Sequence, residues 1–278
     1  MSKQLSINML KALRGLHEAH ALSKVSTAMV KALAARGLVD EDARLTTLGR
    51  ITAIQSLPLK KQCNSIAITH STLLWESTSH PEKYAHFWFA QQGYIGSYCE
   101  GGGFGAAIKA LCLDELERNS IFYNTCIDAR EDACLKGVVV LSHIEKSRLE
   151  GVFKRIVKTT KTEYLAAFSE IISYNMTQEW YPGLSLDFAE ALFDAVPKEH
   201  FEKLAHWIST DHSHRNGWPD LTLIKDDRLR FVEVKTTDKL HHSQLVTIPA
   251  LINEIGADIS VLQLTHANNS RGMPQKAR

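Results

Sequence analysis

The sequence has few cysteines, and no two of them form a C-x-x-C pair. Cys63, Cys99, Cys112, Cys126 and Cys134 are odd in number and irregular in spacing. That pattern argues against a disulfide framework or a four-cysteine zinc module and fits a reduced, intracellular setting. Long apolar runs are missing as well. None approaches the roughly 18 residues of a membrane span, and the opening MSKQLSINMLKALRG lacks the uninterrupted apolar core of a signal peptide. Excess charge of one sign is also absent: 32 Lys and Arg against 31 Asp and Glu leave a formal charge of +1. Any polyanion partner must therefore meet a local basic surface. There are no internal repeats and no low-complexity segments. What remains is an ordinary globular composition, 44% hydrophobic and 23% charged in 278 residues, enough for one large domain or two modest ones. The expected location is the cytoplasm, with no membrane partner.

The first sixty residues read as a unit. Leu5, Met9, Leu13 and Leu16 recur at helical spacing, and Ser26 caps a second helix carrying Met29, Val30, Leu33 and Ala34. Gly37 ends that helix. LVDEDARLT, apolar on both sides of an acidic turn, suits a short hairpin, and Thr47 opens a further helix that stops near Pro58. Helices with a short hairpin predict a winged-helix-like module over residues 1–62. The acidic Asp40, Glu41 and Asp42 fit equally well a small helical domain that touches no DNA.

Residues 70–210 look mainly helical. KYAHFWFAQQGY supplies an aromatic face, and Phe104, Ile108, Leu111 and Leu116 keep helical spacing after the glycines at 101–103. Leu149, Val152, Phe153, Ile156 and Val157 form one stripe, with Lys154, Lys158 and Lys161 opposite. Those lysines fit a solvated face, or a stripe that follows a phosphate backbone. After residue 217 the period changes. DLTLI and RFVEV are short β-rich runs around the polar turn KDDR. A helix interrupted or kinked by Pro249 follows, then a last strand in ADISVLQLTH.

Strand alternation places Phe231, Glu233 and Lys235 on one face, and Val232 and Val234 on the other. Pairing of the two runs across KDDR brings Asp220 near Glu233. Two carboxylates and a lysine at a half-buried point are costly unless something pairs them. A hard divalent cation such as Mg²⁺ does so, taking two carboxylates and a backbone carbonyl. It would favour phosphodiester hydrolysis, with Lys235 orienting water or a phosphate oxygen. The same letters also fit an ion pair on a surface hairpin.

The surroundings sharpen the choice. GWPDLTLI, FVEVKTTDKLHHSQL and the upstream GYIGSYCEGGGFGAAIKALCLDEL together resemble the VRR-NUC family of restriction-endonuclease-like nucleases. Its G-x-P-D segment falls on Gly217, Pro219 and Asp220, and its E-V-K on Glu233, Val234 and Lys235. Its D-x-L-x-x-x-Q run falls on Asp238, Leu240 and Gln244, and its E-G segment on Glu100 and Gly101. Thr236 departs from the residue that often follows E-V-K. The resemblance implies an α/β (α+β) fold with a restriction-endonuclease-like core and a large helical insertion over residues 75–268, leaving 269–278 as a disordered tail. It implies Mg²⁺ or Mn²⁺ held by Asp220, Glu233 and the carbonyl of Val234. Glu100 would be a further or supporting carboxylate, Lys235 would position water, and Gln244 would steady the site. For Glu100, a helix-start charge favoured by the dipole is the plainer alternative.

The expected activity is metal-dependent DNA hydrolysis at flaps or junctions. A DNA-degrading antibacterial toxin or anti-phage effector is the second expectation, and a non-catalytic DNA-binding regulator the third. DNA is the expected partner, with a second copy or a partner protein as further candidates. His212, His214, His241 and His242 flank the motif but lack the cysteine pair of a zinc site. Trp180, Tyr181 and Trp218 are candidates for base stacking or for packing.

Overall fold

The computed structural model describes residues 5–19, 25–75, 80–119, 128–135, 138–181 and 183–266. Cys126 and the predicted tail at 269–278 lie outside the described residues. The chain opens with α1 (Ile7–Ala19), α2 (Thr27–Ala34), α3 (Thr47–Gln55) and α4 (Leu59–Ser65). The hydroxyls of Ser26 and Thr46 cap α2 and α3 by accepting from the N–H groups of Met29 and Gly49. Between these two helices the expected hairpin holds a single antiparallel bridge, Val39 with Leu45. Leu13, Leu16, Leu33 and Ala53 form a small core of their own. The segment is nevertheless tied to the rest: Ile51, Ile54, Leu59 and Cys63 belong to the main core. The buried Gln62 accepts from the N–H of Leu240 at 2.9 Å and donates to the carbonyls of Ile54 and Gln55.

Then come β1 (Thr69–Leu74), α5 (Pro81–Ala90), β2 (Ile95–Ser97) and α6 (Gly102–Arg118). The helical portion continues with α7 (Ala129–Leu135), α8 (Lys146–Lys158), α9 (Lys161–Ser173) and α10 (Asn175–Trp180), then α11 (Leu186–Ala195) and α12 (Lys198–Thr210). The chain closes with β3 (Leu221–Lys225), β4 (Arg228–Lys235), α13 (His242–Ile255) and β5 (Asp258–Thr265). Five strands make one mixed sheet in the order β1-β5-β4-β3-β2. β1 and β4 flank β5 in parallel, while β3 joins β4 and β2 antiparallel.

Two strands escaped the sequence reading. β1 replaces helix at residues 69–74 and puts the start of the sheet before residue 75. It is an edge strand, largely exposed, and THSTLL shows no apolar alternation. β2 is three residues long and contains Gly96, too short for a periodic signal. Pro249 does not interrupt helix α13, which continues through it to Ile255.

The lysine stripe does not survive as a free basic face. α8 ends at Lys158 and Lys161 begins α9, with Thr160 capping the latter by a capping box. Lys154 is paired to Glu150 at 2.6 Å, and Lys161 to Glu190 and Asp194 at 2.9 and 2.7 Å. The apolar side of α8 is buried as read, through Leu149, Val152, Phe153 and Ile156.

Both faces of the sheet are covered. α5 lays Ala85 and Phe89 on Leu221, Leu223, Val232, Val234, Leu262 and Leu264. On the other face Phe104 of α6 sits among the rings of Phe201, Trp218 and Phe231, 4.8–5.9 Å between centroids. Trp218 is thus a core residue, its indole N–H donating to the carbonyl of His214. Gly217, beside it, has φ +77°, and a Cβ there would lie 2.3 Å from the backbone carbon of Ser243 at the start of α13. Gly217→Ala should therefore both strain the backbone and push α13 away. We expect a loss of about 2–4 kcal/mol, at the upper end for a backbone effect, measured by thermal unfolding. A variant as stable as wild type would show that α13 does not sit against this turn.

Candidate active site

The hairpin that builds the site turns on Asp226 and Asp227, both left-handed at φ 50° and 56°. Two such residues in succession make a type I′ turn, whose twist matches the flanking strands and fixes their register. Leu221 pairs with Val232, so one step further Asp220 stands opposite Glu233. The expected proximity of these two carboxylates is therefore a consequence of the turn. The site is more buried than expected, because helices cover both faces of β4. Glu233 is 0% and Lys235 5% exposed.

The oxygens of Glu233 are unequally served. Oε1 accepts from Lys235 Nζ at 2.8 Å and from Gln244 Nε2 at 2.5 Å. Oε2 is shut off from water and receives no donor. Asp220 Oδ2 accepts from the N–H of Val234 at 2.7 Å. Lys235 also reaches Asp238 Oδ2 at 3.2 Å. Burial pushes the Asp220 carboxyl up to about 8, and the neighbouring Glu233 pushes it in the same direction. Burial likewise raises Glu233, against the opposing pull of Lys235. Burial alone would lower Lys235, but Glu233 and Asp238 outweigh it and hold the ammonium protonated.

Gln244 is oriented from two sides. Its Oε1 accepts from the N–H of His241 at 2.9 Å, in the capping box that starts α13, which leaves its N–H₂ for Glu233. The D-x-L-x-x-x-Q spacing is thereby explained: Asp238 meets Lys235, Leu240 is buried, and Gln244 is the third residue of the helix. Glu100 arrives differently. Its backbone is left-handed at φ 49°, and its N–H donates to the carbonyl of Asp220 at 3.2 Å, while its side chain is exposed. Among the described residues no three His, Cys, Asp or Glu side chains converge to hold a metal. Glu100 therefore does not join Asp220 and Glu233 in a three-carboxylate cluster. The flanking histidines do not converge either: His214 stacks on Trp207 with ring centroids 4.2 Å apart, and His241 caps α13.

A hollow of about 600 Å³ opens above Asp220, with His80, Glu82, Lys83, Glu100 and Trp180 on its walls. The sequence reading missed Glu82, which adds to the upward push on Asp220. In the sequence it is only an acidic residue after Pro81 in the first turn of α5, where any helix favours one. What the arrangement can do is hold a hard cation. Two carboxylates, one with an unserved buried oxygen, suit an oxygen-seeking ion, and the open hollow leaves room for water and substrate.

No protein-family model matches the sequence, and no curated protein matches it. Solved structures do. A crystal structure of paFAN1 bound to DNA with a 1-nucleotide 5′ flap and a gap superposes with a TM-score of 0.55 at 18% identity, covering 93% of this chain and 49% of that one. A second, with a 2-nucleotide 5′ flap, gives 0.52 at 17%, covering 93% and 48%. The chain shares the fold of this part of paFAN1. This chain spans about half the length of the paFAN1 chains it matches.

A prediction follows for the metal-free protein. Folded Asp220 titrates near 8, against about 3.9 for an unfolded aspartate. Between those values the folded state binds the extra proton, so stability falls as pH rises through the window and the loss is complete above it. Asp220→Asn removes the titrating group. In EDTA the variant should melt close to wild type near pH 5 and clearly above it near pH 8.5. Identical pH profiles for the two proteins would contradict the pairing.

Proposed function

We propose that the protein is a divalent-metal-dependent deoxyribonuclease that hydrolyses phosphodiester bonds in flapped or branched DNA. The observation that supports this most is the unserved, fully buried Oε2 of Glu233 beside the strained carboxyl of Asp220, on a fold shared with a flap-bound nuclease. Asp220, Glu233 and the carbonyl of Val234 would hold Mg²⁺ or Mn²⁺. Val234 lies beyond the last pair with β3, and its N–H already points to Asp220. The N–H and C=O of a strand residue face the same edge, so its carbonyl is turned the same way. When bound, the ion would supply charge stabilisation to the scissile phosphate and acidify the attacking water.

The protein's own groups do the rest. Gln244 holds Glu233 in one rotamer by a donor whose partner atom is fixed by the α13 cap. Lys235 is kept as an ammonium by Glu233 and Asp238. Once those carboxylates face a cation, it can turn to the water or to a phosphate oxygen. Glu100 and Glu82 stand at the rim with Asp220, so without a cation the hollow repels a phosphate, and DNA enters productively only with metal. Lys83 and His80 are the basic groups on the same wall.

Two variants test the roles. Glu233→Gln should abolish Mg²⁺- or Mn²⁺-dependent cleavage of flap substrates while DNA affinity stays within a few-fold, because phosphate contacts elsewhere set affinity. Lys235→Met keeps the apolar stem and should fold, bind DNA and lose single-turnover cleavage by roughly 10²–10⁴. A Lys235→Met protein that is destabilised yet fully active per folded molecule would make Lys235 only an ion-pair partner of Glu233.

A further inference from the structure

Of the five tryptophans, four are buried or half-buried, and Trp180 is 54% exposed. It stands at the C-terminal end of α10, on the wall of the hollow that contains Asp220. Met176, one turn earlier on the same side of that helix, is 41% exposed. Trp180 belongs to none of the buried clusters, and among the described residues no other ring lies against it. The helix end that carries the indole is nevertheless tied down. Its neighbour Tyr181 packs against the start of α6, so close that a Cβ on Gly102 would lie 2.4 Å from the tyrosine ring. The N–H of Tyr181 donates to the carbonyl of Thr177 at 2.8 Å, and the side chain of Gln178 donates to the carbonyl of Ile172. A large aromatic face thus stands open to water on the wall of the hollow that holds Asp220.

We propose that Trp180 is a stacking platform for an unpaired base of the DNA strand entering the hollow. The site then selects a strand end or single-stranded stretch over continuous duplex. A base within a duplex already has both faces stacked, so only a splayed base can lie on the indole. The hollow, at about 600 Å³, is within the several hundred Å³ usual for a small-ligand pocket. Its chemistry is divided as a nucleotide requires: Trp180 offers an apolar face for a base, and Lys83 and His80 lie near for a phosphate. The inference rests on the nuclease reading for the identity of the ligand, and its test is separable from it.

Affinity is measured with Ca²⁺ present for three probes: oligothymidylate, a strand of equal length made of abasic deoxyribose phosphates, and a hairpin duplex. Wild type should bind oligothymidylate about 5–150-fold more tightly than the abasic strand, the factor for about 1–3 kcal/mol per stacked base. Trp180→Ala should lose that preference, Trp180→Phe should keep most of it, and hairpin affinity should be the same in all three. Because the side chain is exposed, each variant should melt with wild type. A Trp180→Ala protein that still prefers the based strand overturns the proposal. So does one that loses hairpin and single strand equally while melting as wild type does. Cleavage of the same DNAs by wild type in Mn²⁺ is scored apart. Its absence alongside an intact Trp180 effect removes the nuclease reading and leaves the platform. Cleavage without a Trp180 effect does the reverse.

Discussion

A carboxylate removed from water with only one of its two oxygens satisfied is the constraint around which this protein is arranged. Glu233 has no exposed surface, and its Oε1 takes both Lys235 and Gln244, while Oε2 takes nothing. Leaving a buried charged acceptor unmet costs several kcal/mol in general terms. Asp220 makes the cost larger, since two like charges meet at one point. Without metal, a proton held on Asp220, which interacts with the Glu233 carboxyl, relieves the repulsion. In the proposed function, a cation would relieve both groups at once. The strain is thus a form of preorganisation, stored where it would be released on binding.

The rest of the fold keeps that arrangement from collapsing. The type I′ turn sets the hairpin register, and with it the opposition of Asp220 to Glu233. Gly217 lets the chain pass against the first turn of α13, so the α13 cap aims Gln244 at Glu233. The ring stack of Phe104, Phe201, Trp218 and Phe231 fixes the segment leading into Asp220. α5 closes the other face of the sheet.

Much of this was legible from residues, for definite reasons. A strand repeats every two residues, so FVEVK places Glu233 and Lys235 together whatever the fold, and KDDR is too short and polar to be anything but a turn. Burial was underestimated because one strand cannot report a second layer. The sheet's extent was legible only in part. β1 lies at an edge, where exposed Thr, His and Ser carry no pattern, and β2 is too brief to show one. The lysine stripe looked basic because the sequence does not reveal that Glu190 and Asp194 come to meet Lys161, although Glu150, four residues before Lys154 on one helix, was there to be read. Glu82 was invisible for the same reason: tertiary structure alone brings the start of α5 to Asp220. Trp180 could be read only as an alternative between core or rim packing and stacking, and its exposure settles that it is not core.

The central proposal is that Asp220 and Glu233 together bind a cation and give up a proton when they do. Calorimetric titration of the protein with Mn²⁺ near pH 7, repeated in buffers of different ionisation enthalpy, tests it most directly. The account predicts saturable binding with net proton release in wild type, and no such binding in Glu233→Gln. Binding that persists unchanged in Glu233→Gln, or that releases no proton, would contradict it.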